Sequence, residues 1–201
     1  MNKAELSERL KNACAAVTAA EQELSDIDAR FGDADHGLTM SKIAGAISGA
    51  LEEPADGIQE MLDGAAMAVM EINGGSAVPL WNTWLDGLAE AAPEGDELDA
   101  EGLKQMLGHA LEELAALSKA KVGDKTMMDA LIPATEAALA CQGSEDDIFA
   151  AAAKAALEGA EASRNFVSKF GRARSYGEAT IGTPDAGAVS MSRFFAGLAE
   201  E

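Results

Sequence analysis

Three aspartates lie within eight residues at the junction between two predicted helices: Asp28, Asp33 and Asp35, with His36 directly after them. Mg²⁺ takes oxygen ligands and usually keeps waters and substrate phosphates beside a few carboxylates, so a short acidic turn suits it. A calcium loop of the EF-hand type is a poorer match, because its glycine and final glutamate are missing when the loop is counted from Asp28 or Asp33. Alternatively, the aspartates only cap the next helix and face solvent.

The two histidines differ in what their positions predict. We expect His36 to contact a ligand and to take no part in nucleophilic catalysis, because no serine or cysteine partner is indicated. His109 lies off the apolar face of its predicted helix and is expected to be exposed.

A glycine pair leads directly into a helix start in residues 74–80, which read Gly-Gly-Ser-Ala-Val-Pro-Leu. The free N–H groups and the positive end of the dipole at a helix N-terminus can bind a phosphate, and glycine lets its oxygens approach the main chain. A plain turn followed by a helix that starts with proline explains the same residues. This segment alone leaves both interpretations open.

Residues 123–127, Gly-Asp-Lys-Thr-Met, end like a phosphate-binding P-loop. The match fails, because Asp124 precedes the lysine where the P-loop has glycine, Lys119 stands at the position of the first glycine, and no strand leads into the segment. A helix start capped by Asp124 or Thr126 explains these residues.

The longest connection, residues 171–187, contains four glycines and Pro184 and shows little periodicity. Loops of this length in compact domains are usually functional or disordered. Arg172 and Arg174 lie in it, and arginine presents a planar fork of donors to phosphate oxygens. We expect a lid over a bound phosphate group; the alternatives are a surface excursion and charge compensation of nearby acidic helices.

The net charge limits the possible partners. Fifteen Lys and Arg against 35 Asp and Glu give a formal charge of −20, which would repel a nucleic acid backbone or an anionic membrane. We expect neither as a partner, and a polyphosphate would need metal ions, local cations or helix N-termini to offset the repulsion. Cys14 and Cys141 are expected to be reduced thiols. Without an apolar leader or a membrane-spanning run, a cytoplasmic protein is expected.

Apolar residues recur at steps of three and four through most of the chain, which is typical of amphipathic helices. One long first helix carries Leu6–Leu24, and an alanine-rich seventh runs over Ile148–Phe170. Asp99 is predicted to cap the fifth helix, and Ser144 with Asp147 to form a capping box. Eight helices with short connections, and no convincing strand, predict an all-α single domain over the whole chain, built as a bundle or closed ring.

Taken together, four ordered motifs resemble the nucleotide-binding L subunit of dihydroxyacetone kinases: Gly-Asp-Ala-Asp-His-Gly at 32–37, Gly-Gly with Pro-Leu in 74–80, Gly-Asp-Lys-Thr-Met at 123–127 and Gly-Arg-Ala from 171. The resemblance implies a barrel of eight antiparallel helices in residues 1–201, with ADP or ATP at one end. It implies that Asp28, Asp33 and Asp35 bind two Mg²⁺ ions that bridge the phosphates. The residues implied to line the nucleotide are His36, Gly37, Leu38, Thr39, Ser76, Ala77, Ser118, Met127, Arg172, Asp185, Ala186 and Gly187.

The same resemblance implies a partner. In that family a K subunit holds a short ketose covalently through its own histidine, so this chain would supply the phosphoryl donor and no catalytic nucleophile. A chain without a fused K domain is similar to the form in which bound ADP is rephosphorylated by a phosphotransferase-system protein, and exchangeable ATP is equally compatible. We expect transfer to dihydroxyacetone or erythrulose, with a non-catalytic regulatory module that senses nucleotide as the alternative.

The chain departs from the family's Gly-Gly-Ala-Ser-Gly-Pro-Leu pattern at its glycine pair. The serine has moved one place to Ser76, and Val78 stands where glycine is expected. We expect the branched side chain of Val78 to crowd the phosphates or the docked partner.

Overall fold

The computed structural model describes residues 1–200, which are helical apart from turns, loops and an isolated β-bridge between Asn2 and Glu97. Two 3₁₀ segments, Ser163–Asn165 and Arg172–Thr180, lie between the last two α-helices. The α-helices of the described residues are α1 (Lys3–Ala19), α2 (Glu21–Asp28), α3 (His36–Ala50), α4 (Ile58–Met70), α5 (Ala77–Glu90), α6 (Ala100–Leu117), α7 (Met128–Ala140), α8 (Glu145–Ala162) and α9 (Ala186–Leu198).

Eight of these helices close a ring. Helix α1 packs against α3, each helix from α3 to α8 packs against the next one in the chain, and α9 returns to α1. The short α2 lies against α3 and α9. Two crossings in the ring need glycine, because a Cβ on Gly87 would come 2.7 Å from the Cα of Ala110, and one on Gly197 would come 2.4 Å from the Cα of Ala13. Small residues therefore let the helix backbones approach closely.

Aromatic side chains fill the interior of the ring. Trp81 and Trp84 of α5 meet Phe194 of α9 edge to face, with ring centroids 5.1 and 5.6 Å apart. All three side chains are essentially inaccessible to solvent. Because α5 and α9 are not neighbours in the ring, these contacts cross its centre, and such aromatic pairs contribute about 0.5–1.5 kcal/mol each beyond the burial of their area.

The all-α prediction is confirmed, but the predicted count of eight helices is wrong for residues 1–200. The predicted first helix breaks at Ala20, whose backbone leaves the helical region (φ −89°, ψ 4°). The break redirects the chain, so that α2 packs on α3 and α9 while its buried Leu24 still joins the core. As a result Asp28, the last residue of α2, reaches the end of the ring.

Further along, the caps are predicted correctly and one helix end is not. Asp99 accepts a hydrogen bond from the N–H of Gly102, and Ser144 with Asp147 forms the capping box. Helix α8 ends at Ala162, well before the predicted Phe170. A 3₁₀ turn, Ser163–Asn165, follows it, and the chain becomes extended at Phe166.

The predicted loop 171–187 is shorter and more regular than expected. It holds 3₁₀ turns, interrupted at Gly177, where φ is 55°, and α9 begins at Ala186.

Two further features bear on the sequence predictions. Cys14 is buried and Cys141 is half-buried, and both are free thiols. Within residues 1–200, every helix is too short or too polar to cross a bilayer.

Candidate functional site

One end of the ring opens into a cavity of about 590 Å³. The N-termini of α3, α5, α7 and α9 lie in its wall, and α6 ends there at Ser118. Such an alternation of starts and ends is expected when successive helices run antiparallel. The cavity therefore collects several helix N-termini at one place.

An acidic turn between α2 and α3 forms one side of the cavity. Carboxylate oxygens of Asp28, Asp33 and Asp35 lie within 4.8 Å of one another. The turn has two tight points, since Ala34 has a φ of 62° and a Cβ on Gly32 would fall 2.0 Å from Oδ1 of Asp28. Oδ2 of Asp28 is buried without a hydrogen-bond partner. A buried, unpaired carboxylate oxygen beside two others fits a hard divalent cation such as Mg²⁺.

Two helix N-termini face this turn without internal caps. Asp35 precedes α3 and Ser76 precedes α5, and neither side chain accepts a hydrogen bond from the first turn of its helix. By contrast, Asn2 and Asp99 cap α1 and α6, which begin elsewhere. Uncapped N–H groups and the positive end of the helix dipole can bind an anion.

Val78 does not line the cavity. Its side chain is 7% exposed and packs beneath the glycine pair, where a Cβ on Gly74 would come 2.6 Å from Cγ2 of Val78 and 3.1 Å from Cγ2 of Thr39. The expectation that Val78 crowds the phosphates therefore finds no support in its position, because the side chain is turned into the protein and supports the loop from behind.

His36 links the acidic turn to α9. Its Nε2 lies 3.2 Å from the hydroxyl of Ser190. Burial lowers the pKa of His36 below its usual range, against the opposing effect of Asp28. The imidazole is therefore neutral at pH 7, and it can donate or accept a hydrogen bond without adding charge.

Residues 167–182, here called the lid segment, contribute Ser168 and residues 170–173 to the wall of the cavity and contact the acidic turn. Arg172 forms an ion pair with Asp33, and the ring of Tyr176 packs on Phe31 with centroids 5.2 Å apart. Arg174 is exposed and makes no ion pair within residues 1–200. Of the two arginines in this loop, only Arg172 therefore reaches the acidic turn. The contact fits a lid over a bound phosphate, and it equally fits simple charge compensation of the acidic turn.

Two carboxyl groups with raised pKa values lie close to Lys125: Asp185 in the wall of the cavity and Asp129, which does not line it. Burial raises the pKa of Asp185 to about 7, although a hydrogen bond from the backbone of Ala188 and the charge of Lys125 oppose this. Burial also raises the pKa of Asp129, against hydrogen bonds from the backbone of Thr126 and Gly123. The pKa of Lys125 is lowered, again mainly by burial.

Most of the predicted site residues meet at this cavity, although they come from six separate stretches of the chain. Gly37 and Leu38 do not line it, because Gly37 is buried against the carbonyl of Glu21 in α2 and Leu38 is half exposed on the outer side of α3. The predicted residues in the wall are Asp28, Asp33, Asp35, His36, Thr39, Ser76, Ala77, Ser118, Met127, Arg172, Asp185, Ala186 and Gly187.

The sequence did not indicate the apolar part of the wall. Ile27, Phe31, Leu80 and Trp81 line the cavity, as does Lys125. Ile27 and Phe31 flank the acidic turn and Leu80 follows Pro79, so their closeness to the motifs was an available signal. Trp81 had none, because its spacing is that of an ordinary core position in α5.

A second group of possible ligands lies far from the cavity on α5 and α6. His109 is half-buried, not exposed as expected, and its Nε2 lies 2.9 Å from a carboxylate oxygen of Glu90, which raises the pKa of the imidazole. Glu113 approaches the same two groups. This contact is an ordinary surface ion pair.

Comparison with known proteins agrees with this geometry. The sequence profile described as the DAK2 domain matches residues 30–200. D-erythrulose kinase of Mycolicibacterium smegmatis is 37% identical over 184 residues, 88% of this chain and 32% of the relative. The ADP-binding subunit DhaL of the PEP-dependent dihydroxyacetone kinase of Escherichia coli is 32% identical over 185 residues, 89% of this chain and 87% of that subunit.

A solved structure shares the fold. The dihydroxyacetone kinase from C. freundii in complex with AMP-PNP and Mg²⁺ superposes with a TM-score of 0.75 at 25% identity, over 98% of this chain and 33% of that chain. The chain spans about a third of the length of the first curated relatives it matches. These relatives are kinases or kinase subunits. Because the family profile covers most of its length, this chain belongs to the DAK2 domain family.

Proposed function

We propose that this chain binds ADP or ATP with Mg²⁺ in the cavity and supplies the phosphoryl group in a dihydroxyacetone-type kinase. One observation carries the proposal: three clustered carboxylates and two uncapped helix N-termini face one cavity in a chain of net charge −20. Carboxylates alone would repel a polyphosphate. Combined with divalent cations and helix N-termini, they form a site for one.

The residues of the cavity divide into three roles under this proposal. Asp28, Asp33 and Asp35 would hold two Mg²⁺ ions, which neutralise phosphate charge when bound. The N–H groups at the starts of α3 and α5, with Thr39, Ser76 and Ala77, would bind phosphate oxygens.

The remaining wall would enclose the rest of the nucleotide. Arg172 would add a charge-assisted hydrogen bond from the lid segment to the phosphates. Ser118, Met127 and the first turn of α9, residues 185–187, would line the nucleoside beside the apolar part of the wall.

The acceptor and the partner are also proposals. Within residues 1–200 we identify no side chain in the cavity that would hold a ketose covalently. The relatives named above are kinases of erythrulose or dihydroxyacetone. We infer that a separate K subunit holds a short ketose and that its primary hydroxyl receives the phosphoryl group. A PEP-dependent relative makes rephosphorylation of bound ADP by a phosphotransferase-system protein one donor route, and exchange of ATP the other. The whole chain, residues 1–201, would act as one nucleotide-binding domain.

Calorimetric titration with ADP tests the nucleotide site. We expect binding with Mg²⁺ and none detectable with EDTA, because the uncompensated carboxylates repel the phosphates. Asp33→Asn should weaken binding by about 100-fold or more, equivalent to roughly 3 kcal/mol. Asp26→Asn is the matched control, since Asp26 is exposed on α2 and bonds only Gln22. Equal affinities for the two variants would contradict the metal assignment.

Phosphoryl transfer needs a second assay. With a K subunit from a relative and labelled ATP or a phosphotransferase donor, we expect phosphate to appear on dihydroxyacetone or erythrulose only when both subunits are present. Nucleotide binding without any transfer would favour the nucleotide-sensing alternative. That alternative was motivated by Val78 and by departures of the loop at residues 171–187 from the family's pattern, and the side chain of Val78 lies outside the cavity wall.

A further inference from the structure

Lys125, the lysine of the P-loop-like segment, is buried and fully hydrogen-bonded. The residue is 4% exposed, and its Nζ lies 2.8 Å from the carbonyl oxygen of Ser163, 3.1 Å from that of Phe166 and 2.5 Å from that of Thr183. An ammonium group has three protons and no acceptor capacity. All three protons are therefore used within the protein, and none is left for a phosphate.

The three acceptors lie at the two ends of the lid segment. Phe166 directly precedes residues 167–182, Thr183 directly follows them, and Ser163 stands at the end of α8. One ammonium group thus joins the point where the segment leaves the ring to the point where it returns. Two further hydrogen bonds hold these two ends of the lid segment together. The N–H of Gly182 donates to the carbonyl of Arg164 at 2.7 Å, and the N–H of Ser168 donates to the hydroxyl of Thr180 at 3.1 Å.

A buried aspartate directs Lys125 towards these carbonyls. Asp129 is inaccessible to solvent and accepts hydrogen bonds from the N–H groups of Gly123 and Thr126, each at 2.6 Å. These bonds hold a turn in which Lys125 has a φ of 61°, a conformation that costs a residue with a side chain roughly 1 kcal/mol or more. The chain keeps this strained conformation where it turns the ammonium group of Lys125 towards the three carbonyls.

We propose that Lys125 is a positioning residue of the phosphoryl-donor site: by joining both ends of the lid segment it holds Arg172 over the acidic turn, and it is not a phosphate ligand. The part that concerns the nucleotide rests on the function proposed above, whereas the hold on the lid segment does not. Loss of the ammonium would remove a donor from all three carbonyls, of which only that of Ser163 keeps another, the N–H of Phe166. The two ends of the lid segment would then be less firmly joined, so Arg172 and Tyr176 would lose their places together.

The single tyrosine of the chain makes the lid segment directly observable, because Tyr176 is the only site that 3-fluorotyrosine would label. In the unmodified protein we expect one ¹⁹F resonance displaced from its position in urea, since the ring packs on Phe31. Lys125→Met should move it most of the way to the urea position while the far-ultraviolet circular dichroism is retained. Lys169→Met, which removes only an exposed ion pair with Asp124, should leave it in place. A Lys125→Met resonance at the native position would overturn the proposal.

Nucleotide affinity then separates positioning from direct contact. Lys125→Met should weaken Mg-ADP about tenfold, the loss expected for one charge-assisted hydrogen bond. If Lys125 acts through Arg172, the double variant Lys125→Met/Arg172→Ala should lose almost no more affinity for Mg-ADP than Arg172→Ala alone. Additive losses would show that Lys125 binds the phosphates itself and would overturn the proposal. Failure of the unmodified protein to bind Mg-ADP would instead contradict the proposed function, and the fluorine signal would still decide the role of Lys125.

A measurement on the unmodified chain covers the case in which Lys125→Met does not fold. Lys125 is the only buried lysine in residues 1–200, so in ¹⁵N-lysine-labelled protein its ammonium protons should exchange slowly with water and give a distinct signal. We expect that signal to persist with little change when Mg-ADP is added. Its absence, or a large shift on adding nucleotide, would contradict the proposal.

Discussion

Among the titrating groups of the candidate site, Asp185 is expected to have the largest effect on how the free energy of unfolding depends on pH. Its carboxyl caps α9 by accepting from the N–H of Ala188 at 2.8 Å, and burial raises its pKa to about 7. In the unfolded chain an aspartate titrates near pH 3.9. Between these two values the folded protein binds a proton that the unfolded chain has released. The free energy of unfolding therefore falls as the pH rises through this window, and the loss is complete above pH 7.

Asp185→Asn should remove this dependence while keeping the cap, because asparagine is an equally good N-cap. Between pH 5 and pH 8 we expect the free energy of unfolding of the variant to rise by about 2 kcal/mol relative to that of the unmodified protein. This figure is smaller than the full effect of the pKa shift, because solvent screens a half-buried carboxyl. Urea unfolding at both pH values measures it. Asp26→Asn serves as the control, and a difference between Asp185→Asn and the unmodified protein that does not change with pH would contradict the prediction.

At this scale, local spacing predicted what lies close in the chain and little else. Asp28, Asp33 and Asp35 come together because eight residues at a helix junction leave them little room to separate. The sequence around Lys125 does not match a P-loop, but the burial of the lysine depends on carbonyls at 163, 166 and 183, which nothing near residue 125 indicates. The raised pKa of Asp185 likewise depends on burial by distant elements.

The crossing of α2 and α3 depends on one glycine, Gly37. A Cβ at Gly37 would lie 2.0 Å from the carbonyl oxygen of Glu21 and 2.3 Å from the hydroxyl of Ser25. Gly45 lies two turns further along α3, is exposed, and has open space where a Cβ would be. The two glycines share a helix and differ only in what surrounds them.

We expect Gly37→Ala to lower the free energy of unfolding by about 3 kcal/mol, since backbone must move to relieve the overlap. Gly45→Ala should raise it by roughly 0.5–1 kcal/mol, because alanine is the better helix former and loses less backbone entropy. Urea denaturation of both variants provides the test. A Gly37→Ala protein as stable as Gly45→Ala would show that α2 is not held against α3 in this way. Because α2 ends at Asp28, Gly37→Ala should also weaken Mg-ADP binding.

The elements themselves were predicted better than their ends. The three- and four-residue steps of apolar residues located the helices of the ring, and Asp99 and Ser144 marked two starts through cap chemistry that is local to the chain. The break at Ala20 was missed because Val17 and Leu24 are both buried and keep the apolar pattern across it. Only the packing of α2 on α3 and α9 requires the chain to turn there.

At the scale of the whole molecule, charge acts against both folding and binding. The formal charge of −20 is spread over a ring whose interior is apolar, so the carboxylates are mostly on its surface. Compaction brings these like charges together and lowers the free energy of unfolding. The same field opposes the approach of a nucleotide anion until divalent cations occupy the acidic turn. Ionic strength should therefore alter the stability of the protein even without any ligand.

Raising NaCl from about 0.02 to 0.3 M shortens the screening length from roughly 20 Å to less than 6 Å, which weakens repulsion between distant surface carboxylates. We expect the thermal midpoint at pH 8 to rise, by about 3 °C for each kcal/mol of repulsion removed. Near pH 4.3, the isoelectric point, the net charge vanishes and the same salt series should change the midpoint little. Scanning calorimetry at both pH values separates screening from a general salt effect on apolar surface. An equal rise at both would indicate the general effect, and a fall at pH 8 would mean that local ion pairs such as those of Arg172 and Arg193 outweigh the repulsion.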